Sequence, residues 1–188
     1  MASKNKTVDL DRDSGIAPGL VAKTKKRLVV ASGRSHPSLA DDVATALGTN
    51  LVPTEYRTFA SGEILTRFEV SIRGCDLFLI QSFGPPVNEW MMELLIMLDA
   101  AKRASAKRIT VVAPYFPYSR QDKKGRGREP ISARLVADLV KTAGADRVMS
   151  VDLHAAQIQG FFDGPVDHLF AKPVLLEPIM AVEVETPE

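Results

Sequence analysis

Apolar residues from Arg27 onward fall into short runs that alternate with longer periodic stretches. Four short runs are typical of buried strands and lie at residues 28–31, 76–81, 108–113 and 148–153. Three stretches with apolar residues at helical spacing lie between or after them, at residues 37–47, 88–103 and 131–143. Strands that alternate with helices on short connections predict an α/β fold, a mainly parallel sheet with helices on both faces.

Weaker patterns add a few further elements. Val52 begins another strand-like segment, and residues 64–70 alternate as a half-exposed strand would, with a turn at Ser61-Gly62 between the two. The stretch from Val174 to Met180 predicts a weak helix, interrupted by Pro178.

Three residues mark the expected starts of the long helices. Pro37 is suited to open the first helix, Asn88 to cap the second, and Pro130 to occupy the first turn of the third. In parallel sheets, ligands bind beyond the carboxyl ends of the strands. The segments that directly follow the predicted strands are therefore the candidate ligand-binding segments.

The composition does not alter this predicted fold, but it excludes some classes of protein. The 188 residues suffice for one compact domain, and 45% hydrophobic with 25% charged residues is typical of a globular protein. A formal net charge of +1 argues against a general nucleic-acid binder, so an anion site must be local. Residues 1–26 contain no apolar stretch of signal-peptide length, and we expect a polar tail there. With Cys75 as the single cysteine, we expect a cytoplasmic protein and no membrane partner.

The segment 114–130, here called the basic loop, follows the strand predicted at 108–113. Between Arg120 and Glu129 it carries five cations against two anions, and Gly125 and Gly127 add backbone freedom. Such a loop is suited to close over a polyphosphate, because guanidinium and ammonium groups bind phosphate oxygens. A solvated surface loop is the ordinary alternative, but loops this long in compact domains are usually functional or disordered.

RNA binding is a rival interpretation of the same loop. Tyr115, Phe116 and Tyr118 lie beside the basic residues and could stack on bases. The low overall charge disfavours this interpretation, and we expect no nucleic-acid partner.

The second candidate segment, here called the Asp152–His154 segment, ends the strand predicted at 148–153. In an extended chain Asp152 and His154 point to the same side and could bind one metal ion. A lone histidine is as often structural, and imidazole suits manganese or zinc as readily as magnesium. A phosphate-binding loop nearby favours Mg²⁺ carried by a nucleotide. His36 and His168 show no metal-ligand spacing and are interpreted as structural.

Five segments together resemble one enzyme family. They are FASGE at 59–63, MELLIMLDAAKRASAKRIT at 92–110, PYFPYSRQDKK at 114–124, PISARLVADLVKTAGADRV at 130–148 and SVDLHAAQIQGFFDGPVDHLF at 150–170. The family is ribose-phosphate diphosphokinase, also called phosphoribosyl pyrophosphate synthetase. The resemblance runs from about Arg27 to Leu176 and covers the family's N-terminal half, which implies a phosphoribosyltransferase-like N-terminal domain.

The resemblance also implies a reaction and residue roles. The family transfers the diphosphoryl group of Mg-ATP to ribose 5-phosphate, giving phosphoribosyl pyrophosphate and AMP. Arg120 and Gln121 match residues that contact ATP, Lys123 and Lys124 match the catalytic loop, and His154 matches a magnesium ligand.

The turn at residues 59–63 resembles the family's adenine-binding turn, which a neighbouring subunit contributes. Phe59, Ser61, Gly62 and Glu63 are the matching residues, so a homo-oligomer, commonly a hexamer, is implied. The family usually has Asp or Asn where Ser61 stands, so one hydrogen bond to the base is lost.

Length is the larger departure from the family. We expect residues 27–176 to form the ATP-binding domain and residues 177–188 a truncated C-terminal tail, without the second domain that carries the sugar site in the family. Two hypotheses follow: a diphosphokinase chain that carries the ATP half only, or a non-catalytic associated or regulatory subunit. Retention of Arg120, Gln121 and His154 favours the first.

Overall fold

The computed structural model describes residues 27–180, so the tail predicted at residues 1–26 lies outside the described part of the chain. Seven strands are described: β1 (Leu28–Ser32), β2 (Thr54–Thr58), β3 (Ile64–Phe68), β4 (Asp76–Ile80), β5 (Arg108–Ala113), β6 (Arg147–Val151) and β7 (Val166–Leu169). The α-helices are α1 (Pro37–Ala46), α2 (Val87–Arg103), α3 (Ser132–Ala143) and α4 (Lys172–Met180), and a short 3-10 helix covers Ala156–Gly160.

Five strands form one parallel sheet in the order β1-β4-β5-β6-β7. This arrangement confirms the predicted α/β fold. On the free side of β1, Leu51 forms a parallel bridge to Val30, so β1 has a neighbour on each side. Strands β2 and β3 pair separately as an antiparallel hairpin, with Ser61-Gly62 at its tip.

Helices cover both faces of the sheet. Val29 and Ala31 of β1 belong to the large core, to which α2 and α3 contribute residues such as Leu98 and Val140. Val30, which points to the opposite face, packs in a smaller cluster with Ala40 of α1. The two faces therefore have separate cores, as the alternation of strands and helices predicts.

The loop after β1 approaches the end of β4 closely. A β-carbon at Gly33 would lie only 1.9 Å from Oε1 of Gln81. Gln81 is 1% exposed, and its carboxamide accepts a hydrogen bond from the Ser35 hydroxyl at 3.0 Å. Glycine is required at position 33 because the buried carboxamide occupies the space of a side chain.

Two predicted helix starts were wrong. Helix α2 has Pro86 as its N-cap without a side-chain cap, whereas Asn88 lies inside the helix and accepts a hydrogen bond from the Tyr118 hydroxyl. Helix α3 begins at Ser132 with Ile131 as its N-cap, so Pro130 precedes the helix instead of entering its first turn. In both places the basic loop sets the local geometry.

The last part of the fold differs most from the prediction. Strand β7 has only two apolar residues in the sequence Val-Asp-His-Leu and was not predicted; its pairing with β6 defines it. Helix α4 covers the helix predicted from Val174 to Met180 and runs through Pro178 without the expected interruption. Residues 181–188 lie outside the described part. Within residues 27–180, no helix is long and apolar enough to cross a membrane.

Candidate functional site

The basic loop and the Asp152–His154 segment begin side by side. Strands β5 and β6 are parallel neighbours, with Ala113 opposite Ser150. The N–H of Val151 donates to the carbonyl of Pro114 at 3.1 Å, which extends the ladder past the end of β5. Both segments therefore leave the same edge of the sheet, where ligands of parallel α/β folds bind.

The first half of the basic loop alternates between buried and exposed residues. Phe116, Ser119 and Asp122 are buried at 6%, 1% and 8% exposure. Tyr118 adopts a left-handed backbone with φ of 57° and hydrogen-bonds to Asn88. This anchored base projects its exposed side chains from the sheet edge, and they include Arg120, Lys123 and Lys124.

The second half of the loop folds around Glu129. One carboxylate oxygen of Glu129 accepts the backbone N–H groups of Gly125 at 2.7 Å and Arg126 at 2.8 Å. One of the loop's two acidic side chains therefore binds backbone N–H groups of the loop itself. A cavity of about 450 Å³ opens here, lined by Arg120, Gln121, Lys123, Gly125, Glu129 and Pro130.

Two hydrogen bonds join Gln121 to the start of α3. Its side-chain oxygen accepts the Ser132 hydroxyl at 2.5 Å, and its backbone carbonyl accepts the N–H of Ala133 at 3.2 Å. These two bonds use the side-chain oxygen and the backbone carbonyl of Gln121 and do not involve its side-chain nitrogen, and Gln121 also lines the cavity.

The structure corrects the geometry expected for the Asp152–His154 segment. Asp152 has φ of 44°, a left-handed conformation that aspartate tolerates better than most residues, so the extended strand ends at Val151. The argument that placed Asp152 and His154 on one side of an extended chain was therefore wrong. The Asp152 carboxylate accepts the N–H of Ala171 at 3.3 Å, and both side chains are exposed.

His168 of β7 forms a hydrogen bond with the backbone of the Asp152–His154 segment. Its Nε2 accepts the N–H of Leu153 at 3.0 Å, and Nδ1 lies 3.4 Å from the side-chain nitrogen of Gln159. The imidazole thus satisfies a backbone donor between Asp152 and His154. This contact gives a physical basis to the structural role interpreted for His168.

Among the described residues, the donors at this edge do not form a complete metal site by themselves. Residues 27–180 contain no group of three or more His, Cys, Asp or Glu side chains that could hold a metal by themselves. An exposed imidazole at His154 and a carboxylate at Asp152 instead suit an ion that keeps waters and phosphate oxygens, as Mg²⁺ does. The residues fit a metal that arrives with a polyphosphate.

The turn at 59–63 closes the β2–β3 hairpin. The N–H of Phe59 donates to the carbonyl of Glu63 at 2.9 Å, and Gly62 takes the φ of 88° that the turn needs. The Ser61 hydroxyl donates to a Glu63 carboxylate oxygen at 2.7 Å, and the guanidinium of Arg57 lies 4.9 Å from the Phe59 ring centroid. The turn is exposed, and these contacts stay within the hairpin.

Sequence reasoning missed three side chains that organise this edge. Asp122, Gln157 and Glu129 form hydrogen bonds that shape the basic loop or join it to the 3-10 helix. The available signal was an acidic residue flanked by cations in Arg120-Gln-Asp-Lys-Lys124, which spacing alone does not distinguish from a solvated charge.

The fold is that of a parallel α/β domain in which the basic loop and the Asp152–His154 segment leave one edge of the sheet. Residues 28–144 match the family described as the N-terminal domain of ribose phosphate pyrophosphokinase. The chain belongs to this family, as its sequence resemblance predicted.

Individual relatives agree with this assignment. The chain is 61% identical over 159 residues to the ribose-phosphate pyrophosphokinase of Streptomyces avermitilis, covering 85% of this chain and 49% of that protein. It is 62% identical over 151 residues to that of Mycobacterium leprae, with 80% and 46% covered. The crystal structure of phosphoribosylpyrophosphate synthetase from Mycobacterium smegmatis superposes with a TM-score of 0.82 at 61% identity, covering 83% and 52%. The chain spans about half the length of these relatives.

Proposed function

We propose that this chain forms the ATP-binding half of a ribose-phosphate pyrophosphokinase, or ribose-phosphate diphosphokinase. Such an enzyme transfers diphosphate from Mg-ATP to ribose 5-phosphate and releases phosphoribosyl pyrophosphate and AMP, a step of nucleotide biosynthesis. One observation carries the proposal: an exposed cationic loop, which lines a cavity of about 450 Å³, and the Asp152–His154 segment leave adjacent parallel strands. That volume falls within the usual range for small-molecule sites.

The loop cations provide positioning and charge stabilisation, which dominate phosphoryl-type transfers. Arg120 grips phosphate oxygens with its planar guanidinium, and the amide nitrogen of Gln121 donates to the nucleotide. Lys123 and Lys124 stabilise the negative charge of the diphosphoryl group as its bond to the AMP leaving group breaks. The Glu129 carboxylate lines the same cavity as Lys123 and accepts two backbone N–H groups of the loop.

His154 and Asp152 would hold Mg²⁺ at the same edge. When bound, the ion would supply positive charge that offsets the charge of the phosphates. Both side chains are exposed, and one oxygen of the Asp152 carboxylate also accepts the N–H of Ala171 at 3.3 Å, which leaves its other oxygen for the metal. Closure of the loop excludes water, so that diphosphate passes to the sugar hydroxyl.

A neighbouring subunit would complete the nucleotide site. The exposed turn with Phe59, Ser61, Gly62 and Glu63 is suited to contact the adenine of another protomer. Phe59 offers an aromatic face, and the carboxylate of Glu63 can accept the exocyclic amine. The assembly is then a homo-oligomer, a hexamer by resemblance to the family, and we place it in the cytoplasm with other enzymes of nucleotide metabolism.

Titration calorimetry with ATP, with and without Mg²⁺, tests the proposal. We expect saturable binding that Mg²⁺ strengthens, and failure of Mg-ATP to bind more tightly than free phosphate would overturn it. Ribose 5-phosphate is then added and AMP measured. AMP formation shows that the chain turns over alone.

The exposed turn at 59–63 also suits a second candidate, a non-catalytic associated or regulatory subunit that contacts other subunits through this turn. This candidate predicts Mg-ATP binding without AMP formation, together with co-assembly with a full-length enzyme. Size-exclusion chromatography of the mixture would detect the co-assembly. Absence of both co-assembly and any change in the enzyme's rate would exclude it.

A further inference from the structure

Asp122 is a buried carboxylate inside a loop of exposed cations. It is 8% exposed, whereas its neighbours Gln121 and Lys123 are exposed. Burying a carboxylate is costly unless it is hydrogen-bonded. Nε2 of Gln157 supplies such a bond, donating to Oδ2 of Asp122 at 2.8 Å.

Gln157 belongs to the other half of the site. It lies in the 3-10 helix Ala156–Gly160, three residues after His154. The Asp122–Gln157 bond therefore crosses from the basic loop to the chain segment that follows the metal-suited residues. The two segments already start side by side at Pro114 and Val151, and this bond joins them again beyond the sheet.

The other anchors of the loop point elsewhere. Tyr118 bonds to Asn88 of α2, Gln121 bonds to Ser132 at the start of α3, and Glu129 bonds to the loop's own backbone. None of these contacts joins the loop to the segment that follows His154. The Asp122–Gln157 bond does, and Asp122 lies directly between Gln121 and Lys123, which both line the cavity.

We propose that Asp122 and Gln157 are a positioning pair, which sets the distance between the phosphate-binding cations and His154. The pair's benefit to Mg-ATP binding rests on the proposed function. Its effect on the loop needs no ligand and can be measured separately.

The first measurement is limited trypsin digestion without nucleotide, followed by mass spectrometry of cleavage after Lys123, Lys124, Arg126 and Arg128. We expect Asp122→Ala and Gln157→Ala each to speed cleavage in the loop about fivefold, the factor for losing one hydrogen bond. Asp122→Asn keeps an acceptor oxygen for Gln157 and should restore near-normal cleavage. The double variant Asp122→Ala/Gln157→Ala should behave like either single variant, because both remove the same bond.

The second measurement is Mg-ATP affinity of the same variants. We expect a loss of about fivefold to tenfold for the two alanine variants and rescue by Asp122→Asn. Asp163→Ala is the matched control, since it removes an exposed carboxylate from the bend after the 3-10 helix. It should change neither loop cleavage nor affinity.

The outcomes separate this inference from the proposed function. Unchanged loop cleavage in both alanine variants would overturn the positioning pair, even if the wild type binds Mg-ATP. Equal acceleration at tryptic sites throughout the protein would also overturn it, because that result indicates general destabilisation. If the wild type fails to bind Mg-ATP, the proposed function fails, while loop cleavage still decides whether Asp122 and Gln157 hold the loop.

Discussion

The carboxylate of Glu93 accepts two hydrogen bonds from Arg34, one from its backbone N–H at 2.7 Å and one from Nε at 2.6 Å. Glu93 is fully buried in α2, and Arg34 lies in the loop after β1. The Arg34 guanidinium also lies 5.5 Å from the ring centroid of Tyr56 on the hairpin. One ion pair thus joins the sheet edge, a helix and the hairpin that carries the 59–63 turn.

Removing the cation of this pair should destabilise the protein strongly. Arg34→Met leaves the Glu93 carboxylate buried without its charge partner, and we expect a loss of about 3 kcal/mol in the free energy of unfolding. Urea denaturation followed by circular dichroism measures it. Arg103→Met, which breaks the exposed pair with Asp99, is the control and should leave stability nearly unchanged. Equal losses in the two variants would contradict the role assigned to Arg34.

Tyr56 should make stability fall in alkali. Burial, together with the nearby negative charge of Glu93, raises the pKa of the Tyr56 hydroxyl to about 12. Between pH 10 and 12 the unfolded state loses this proton while the folded state keeps it, so stability decreases as pH rises. Allowing for partial exposure, the effect is roughly 1–2 kcal/mol.

Comparison with Tyr56→Phe isolates this contribution from that of other titrating groups. The variant loses the hydroxyl's bond to the Ser32 carbonyl, and its stability should decline less steeply above pH 10. Denaturation midpoints at pH 9, 10 and 11 check the difference. Parallel declines in the two proteins would refute the assignment.

Arg120→Ala should weaken Mg-ATP binding by about 1.5 to 3 kcal/mol, the scale of charge-assisted hydrogen bonds. Arg120 is exposed and lines the cavity of the basic loop, so little loss of folding stability is expected. Calorimetry checks the affinity, with Arg103→Ala at the end of α2 as a control arginine. Unchanged affinity in Arg120→Ala would place the nucleotide phosphates elsewhere.

His154→Ala should reduce the enhancement of ATP binding by Mg²⁺ about tenfold or more, since even residues that only support metal ligands contribute that much. Binding of metal-free ATP should change little. The control is His36→Asn, because His36 caps α1 by accepting the N–H of Leu39 and asparagine caps equally well. If both variants keep the full Mg²⁺ effect, His154 is not a metal ligand.

The sequence predicted the elements whose apolar pattern is dense. The runs at β4, β5 and β6 identified buried parallel strands, and from them the shared edge of the two candidate segments followed. Strand β7 was not predicted because Asp167 and His168 interrupt its apolar residues. Its pairing with β6 outweighs the weak preference of these residues for a strand.

The local sequence pattern did not predict contacts between residues that are distant along the chain. Asn88 has the right type and position for a helix cap, yet Tyr118, thirty residues away, takes its side chain. Asp152 was expected to continue the strand, but its φ is left-handed, and its N–H donates to the carbonyl of Leu169 in β7 at 2.9 Å. Nothing in the sequence around Glu93 indicated that its side chain is buried and paired with Arg34.

The close packing of Gly33 and Gln81 bears on where this fold accepts ligands. Because β1 has Leu51 on one side and β4 on the other, the connectivity reverses direction there, and in open α/β sheets such a reversal creates a natural crevice. In this domain the carboxamide of Gln81 occupies that position, beside Gly33 at the ends of β1 and β4. We therefore expect ligands to bind beyond the ends of β5 and β6 instead, and engineering a second pocket would start by shortening the side chain at position 81.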